Sequence, residues 1–215
     1  NLVNRVLGFT AKHADGVVPD IGDATSPARD AFVEQVAGLV AELTDHMEHN
    51  QLRKSMGALR DLWAAGNAFW NAEEPWKLAD DPEARAIVIS TALHHLRLLA
   101  ILGAPVLPDT SPRVLAALGI DDLPPWPTDV AAAYAALPPG TGIEVPSVLF
   151  AKIEPEQVAA WSDRFGCGDD DLYRVAVDQP GERGGRTVAT GLVRDFEDDF
   201  ESIVALAPAA DRTAP

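Results

Sequence analysis

Three times in this chain a capping residue stands directly before a proline, and an apolar stripe follows: Ser26-Pro27, Asp81-Pro82 and Ser111-Pro112. A Ser or Asp oxygen can accept one of the free N–H groups in a helix's first turn. Proline at the first helical position gives up nothing, because its missing N–H would have had no partner there. Each pair therefore reads as a helix start. Behind Pro27, the residues Phe32, Val36, Leu39, Val40, Leu43 and Met47 recur at helical spacing to about residue 49. Behind Pro82, Ile87, Val88, Leu93, Leu98, Leu99 and Leu102 make so apolar a run that this helix is expected at the centre, with Gly103 and Pro105 stopping it. The third pair opens a short helix closed by Gly119.

Two more helices follow from periodicity alone. Leu2, Val3, Val6, Leu7 and Phe9 form a stripe over residues 1–13, ended by Asp15-Gly16 and Pro19 and followed by a loop through Thr25. Another helix is expected from about residue 51 to 72, with Leu52, Met56, Leu59, Trp63 and Trp70 on or near its buried stripe. The expected fold class is all-α, a bundle of about five main helices up to about residue 120. Residues 121–146 are too rich in proline and glycine to be one regular element, with a short helical turn expected inside them at 131–137. Residues 155–165 read as a last helix, stopped by Gly166.

After Gly168 the character changes. Residues 172–177 and 187–193 are strand-like around a turn-like 180–185, the pattern of a β-hairpin, and 196–206 reads as an acidic helix. From Asp169 on there are eleven acidic and five basic residues, a net of -6. The expected division is a helical bundle with its return segment over 1–166 and an acidic extension over 167–215. That extension is either a solvated tail or an added interaction module, and no chemistry of its own is expected from it.

Charge and cysteine content narrow the function classes. A formal net charge of -16 argues against broad electrostatic binding to nucleic acid, though not against reading a few unpaired bases by stacking and hydrogen bonds. The single cysteine, Cys167, excludes an internal disulfide framework and fits a reducing, cytoplasmic setting. No signal-peptide pattern and no uninterrupted apolar run of membrane-spanning length is present, so no membrane partner is expected. The chain begins at Asn1 inside an amphipathic pattern, which is the expectation for an excerpt from a longer polypeptide.

One stretch stands apart. In Asn67-Ala68-Phe69-Trp70-Asn71-Ala72-Glu73-Glu74-Pro75-Trp76-Lys77-Leu78 an aromatic-rich helix runs into a Pro-Trp pair. Proline is poorly tolerated within a helix, so a turn or a helix start is expected here, with Trp76 in a loop or a first helical turn where its ring can be presented rather than packed. The stretch resembles the N-x-[YF]-x-x-x-x-x-P-W-x-L motif of the anticodon-binding domain of methionyl-tRNA synthetases. Asn1-Leu2-Val3-Asn4-Arg5 resembles the N-L-x-x-R segment that opens that domain. Gly103-Ala104-Pro105-Val106-Leu107-Pro108 with Leu115 and Leu118-Gly119, and Phe150-Ala151-Lys152-Ile153-Glu154, resemble two further segments of the family. Phe69 stands where tyrosine is commoner.

The resemblance implies a site. Family residues at the positions of Asn1, Arg5 and Trp76 read the first base of the methionine CAU anticodon, with Pro75 setting the turn. The chemistry agrees with those residue types. An aromatic ring takes a base's flat face; an unpaired cytosine edge offers two acceptors and an amino donor. Arg5 supplies donors, and Asn1 supplies both kinds of group. Asn67 and Asn71 are additional candidates for touching the loop, or else helix-surface polar groups. The implied partners are methionine tRNA, through its anticodon loop, and the protein's own catalytic domain. The family's ATP signatures, H-I-G-H and K-M-S-K-S, are absent from these residues, so ATP with magnesium is expected to act in that other domain and no cofactor here. The alternative is a freestanding paralogue serving as a tRNA-tethering or protein-interaction module.

Other conspicuous residues read as structural. His46 and His49 are expected to be solvated helix-end histidines rather than metal ligands. Adjacent His94 and His95 point to different faces, so one is expected in the core and the other at a polar edge. Trp63 and Trp70 read as core, and Trp126 as packing on the bundle.

Overall fold

The computed structural model describes residues 2–165; Asn1 and everything after residue 165 lie outside them, and with these the expected hairpin, acidic helix and Cys167. Residues up to 150 make one compact unit, and residues from 151 belong to a second. The first unit holds six α-helices: α1 (Leu2–His13), α2 (Pro27–Glu48), α3 (Leu52–Glu73), α4 (Pro82–Gly103), α5 (Thr110–Ala117) and the one-turn α6 (Val130–Ala133). In the second, α7 (Pro155–Phe165) starts with a reciprocal cap, in which Glu154 N–H donates to Gln157 Oε1 at 3.0 Å and Gln157 N–H to Glu154 O at 3.0 Å. Regular structure among the described residues is helical, as the cap-proline pattern requires.

Two of the three proline signals operate as caps. Ser26 Oγ accepts from Arg29 N at 3.1 Å, and Asp81 Oδ1 accepts from Ala84 N at 3.0 Å. The third does not. α5 starts earlier, with Asp109 in the capping position and no side-chain cap bond, and Ser111 is buried inside the first turn. The turn before it, in which Leu107 N–H and Val106 N–H both donate to Gly103 O, carries the chain into helix ahead of the expected cap.

α4 is the central helix. It packs against α1, α2, α3, α5 and the turn after α3, and its residues from Ile87 to Gly103 are buried except Arg97. By length and composition it is apolar enough to cross a membrane, but most of its surface is covered by its neighbours. Its apolarity is that of a core element. The buried stripe of α3 is Ser55, Ala58, Leu59, Leu62, Ala65, Gly66, Phe69 and Trp70. Leu52 and Met56, expected on that stripe, are exposed at 64% and 37%. They lie in the opening turns of α3, while small residues on the adjacent face let the helix sit close to its partners. Trp63 is half-buried against the core, and Phe32 of α2 stacks on Phe69 with ring centroids 4.4 Å apart.

His94 and His95 are both buried, which corrects the expectation of one polar edge. The irregular return segment gives each ring one of its two partners, and the other comes from α4 itself or from α3. His94 Nδ1–H donates to Ser90 O at 2.8 Å, and its Nε2 accepts from Leu137 N–H at 3.1 Å. His95 Nε2–H donates to Leu62 O at 3.1 Å, and its Nδ1 accepts the Tyr134 hydroxyl at 2.8 Å. Each ring thus has a donor and an acceptor satisfied, which fixes it as a neutral tautomer. Desolvation by burial holds His95 down at about 4 and also lowers His94, while burial pushes the Tyr134 phenol up.

The same return segment is pinned elsewhere. Trp126 Nε1–H donates to Thr44 Oγ1 at 2.9 Å, so this tryptophan packs on the bundle as expected. Val18 N–H donates to Thr141 O and Gly140 N–H to Val18 O, both at 2.9 Å, tying the segment to the loop after α1.

Candidate nucleic-acid interface

The end of α3 is built to display one ring. Glu74 precedes a proline, which disfavours the right-handed helical region, and it adopts a left-handed conformation with φ 42° and ψ 56°. That residue breaks α3 and redirects the chain. Pro75 then opens a single 3₁₀ turn, Pro75–Lys77, closed by Lys77 N–H to Glu74 O at 2.7 Å. Lys77 Nζ meets Glu74 Oε2 at 2.8 Å across the outside of the turn. Pro75 is buried beneath it, and Trp76 stands out with 46% of its surface exposed. The buried proline and the braced turn fix the backbone that presents the indole.

Two side-chain contacts attach α1 to the last turns of α3, just before this turn. Arg5 Nη2–H donates to Asn71 Oδ1 at 2.8 Å. One turn along α1, Phe9 meets Trp70 edge-on, with centroids 5.6 Å apart. Arg5 and Phe9 of α1 thus meet Asn71 and Trp70 in the last turns of α3, and Pro75 and Trp76 follow Asn71 directly along the chain, at the turn that ends the helix. A guanidinium has five N–H donors and the bond to Asn71 uses one, so the arrangement orients Arg5 without exhausting it. Asn1 lies outside the described residues. Asn67 is placed differently: its Nδ2–H donates back to Trp63 O at 2.9 Å, and its side chain borders a largely apolar recess.

That recess, of about 570 Å³, is bounded among others by Leu2, Val3, Leu96, Leu99 and Phe150. Its polar lining among the described residues is Asn4, Asn67, Thr110 and Ser111, with no carboxylate, imidazole, amine or thiol beside the two hydroxyls to activate them. Among the described residues no cluster of three or more His, Cys, Asp or Glu is placed to hold a metal ion. His49 is exposed and its Nδ1–H donates to Asp45 O at 2.8 Å; the His46 side chain is only 15% exposed and lies 3.5 Å from Glu42. His46 is therefore less solvated than its place at a helix end suggested.

The pairing of Arg5 with Asn71 has no sequence signal, because the residues are 66 apart and meet only through packing. The brace from Lys77 to Glu74 did have one, an opposite-charge pair at helical i,i+3 spacing.

Residues 18–170 match the family model for the anticodon binding domain of methionyl tRNA ligase. The matched span contains Asn67, Asn71, Pro75 and Trp76 and begins after Arg5. The chain is 40% identical over 168 residues to the methionine–tRNA ligase of Caulobacter sp. strain K31, covering 77% of this chain and 29% of that protein. It is 41% identical over 169 residues to the methionine–tRNA ligase of Ruegeria sp. strain TM1040, covering 78% and 29%. A solved structure of the Mycobacterium tuberculosis methionyl-tRNA synthetase in complex with methionyl-adenylate superposes with a TM-score of 0.60 at 26% identity, covering 71% of this chain and 30% of that one. The chain thus spans about 29% of the length of the curated relatives it matches.

Proposed function

Because the chain belongs to the family of methionyl-tRNA ligase anticodon-binding domains, we propose that it holds the anticodon loop of a methionine tRNA and reads the first base of CAU. Trp76 takes the face of the cytosine. Arg5, oriented by Asn71, donates to its acceptor edge, and Asn1 supplies a further polar contact. The observation that carries this reading is the exposed Trp76 on a braced turn, which follows along the chain from the Asn71 that Arg5 binds. In a protein of the relatives' length, the remainder uses ATP with magnesium to activate methionine and attach it to the tRNA in the cytoplasm. Fixing the anticodon here lets the acceptor end reach that other site. We further assign the bundle and its return segment to 1–166 and the acidic extension to 167–215.

The test is binding of an RNA stem-loop with a CAU loop, against loops altered at the first anticodon base, at low salt. The wild-type chain is expected to prefer CAU. Trp76→Ala is expected to weaken binding by roughly fivefold to a hundredfold, the equivalent of ~1–3 kcal/mol for one stacked base. Its melting temperature should stay unchanged, because the ring is exposed. A wild-type chain indifferent to the first base, or a Trp76→Ala variant that binds equally well, overturns the assignment.

The net charge of -16 favours a second reading, a freestanding tethering or interaction module. The coding sequence upstream of Asn1 decides between them. The ligase reading expects a nucleotide-binding fold carrying H-I-G-H and K-M-S-K-S.

A further inference from the structure

The face of α1 that carries Arg5 continues past it. Arg5, Phe9 and His13 follow at intervals of four, so they lie one above another along the helix. Phe9 is half-buried: its ring meets buried Trp70 edge-on on one side and the His13 ring on the other, with the last pair at a centroid distance of 4.3 Å and an interplanar angle of 32°. His13 is exposed. Three rings thus run from the core to the surface, and the outermost is an imidazole backed by a phenyl ring. The column stands beside Asn71, which directly follows Trp70 and binds Arg5.

Charge points the same way. In a chain with a net charge of -16, α1 carries Arg5, Lys12 and His13 and no acidic residue. Lys12 and His13 lie in its last turn, where the helix dipole places partial negative charge and favours cations.

We infer that His13, held by Phe9, is a second base-stacking platform for an unpaired anticodon-loop nucleotide next to the one at Arg5 and Trp76. The inference rests on the anticodon-binding reading and extends it. Eight residues of helix put His13 roughly 12 Å beyond Arg5 along α1, outside the contact range of a single base. Histidine is among the side chains on which splayed-out RNA bases stack. Phe9 restricts the ring's rotamers before RNA arrives, so little side-chain entropy is lost on binding.

The experiment measures affinity of the 215-residue chain for the CAU stem-loop by anisotropy of the labelled RNA, with His13→Ala, His13→Tyr and His13→Lys. His13→Ala is expected to weaken binding by about fivefold to a hundredfold. His13→Tyr should restore affinity to within about twofold, because it keeps a flat ring. His13→Lys, which keeps only a cation, should behave like alanine. Preference for cytosine at the first anticodon position should be unchanged in all three, since Arg5 and Trp76 are intact. In stem-loops made abasic at the second or third anticodon position in turn, one abasic RNA should make wild type and His13→Ala bind alike. If the wild-type chain prefers CAU but His13→Ala binds normally, this inference falls and the anticodon reading stands. Rescue by lysine but not tyrosine overturns stacking in favour of a charge contact. If the wild-type chain shows no preference for CAU, both fall together.

Discussion

The imidazole of His95 occupies the space that a β-carbon on Gly66 would need. Such a carbon would stand 2.5 Å from the ring's Cδ2, 2.6 Å from its Nε2 and 3.0 Å from a methyl of Leu2. The glycine is therefore what lets α3 and α4 approach closely enough for His95 to reach the Leu62 carbonyl. The ring cannot swing aside without breaking its bonds to Leu62 and Tyr134.

Gly66→Ala is expected to destabilise the protein. Alanine's better helix propensity contributes ~1 kcal/mol, but overpacking a core typically costs ~1–3 kcal/mol and here also strains a buried polar network. Gly57 on the same helix has nothing within 4 Å of its would-be β-carbon, so Gly57→Ala should stabilise by ~0.5–1 kcal/mol. Urea unfolding of the two variants checks the opposite signs. Equal gains from both would mean His95 yields.

Stability should fall with acid in a particular window. Above pH 6.5 the His95 imidazole is neutral in both folded and unfolded chains, and the network contributes in full. Between 6.5 and about 4 the unfolded chain takes up a proton that folded His95 refuses, so unfolding is progressively favoured as pH drops. His94 is shifted in the same direction, by desolvation, and adds to the effect. The loss from His95 amounts to about 3 kcal/mol once pH reaches the folded value. Urea midpoints at pH 7.5, 6.5, 5.5 and 4.5 measure it; a flat profile between 6.5 and 5 contradicts it.

Tyr134→Phe should cost ~1–3 kcal/mol although it removes only one oxygen. It leaves His95 Nδ1 as a buried acceptor without its donor. Because Tyr134 belongs to the return segment, the loss should appear as faster amide exchange at the capping N–H of Ala132 and at Leu137 N–H, the residue that caps His94. Hydrogen-exchange mass spectrometry over residues 126–145 reads this directly.

Asn71→Ala should weaken CAU stem-loop binding less than Arg5→Ala does, by about twofold to tenfold, because it frees Arg5 rather than removing it. Since Asn71 acts through Arg5, the double variant should bind no worse than Arg5→Ala alone. Additive losses in the double-mutant cycle would show that Asn71 touches the RNA itself.

The sequence alone determined the helices, because their signals are local. A Ser or Asp before proline, and apolar residues at a period of 3.6, specify where a helix starts and which face turns inward, whatever it later packs against. Trp76 was legible for the same reason: Pro75 and the residue before it leave few backbone choices, and the turn they force holds the ring out. Local rules failed where a partner came from far along the chain. His95 lies against α3 at Leu62 and Gly66, and the two rings gain their remaining partners only because an irregular segment some 40 residues later folds back and offers Tyr134 and Leu137. Ser111 lost its capping role because the chain had already turned helical before it. Arg5 met Asn71, and Phe9 met Trp70, only once α1 had docked against the end of α3. Periodicity states which face of a helix is buried; which residue it faces is set by the packing of several helices at once, and that three-body geometry is not written in the spacing of any one of them.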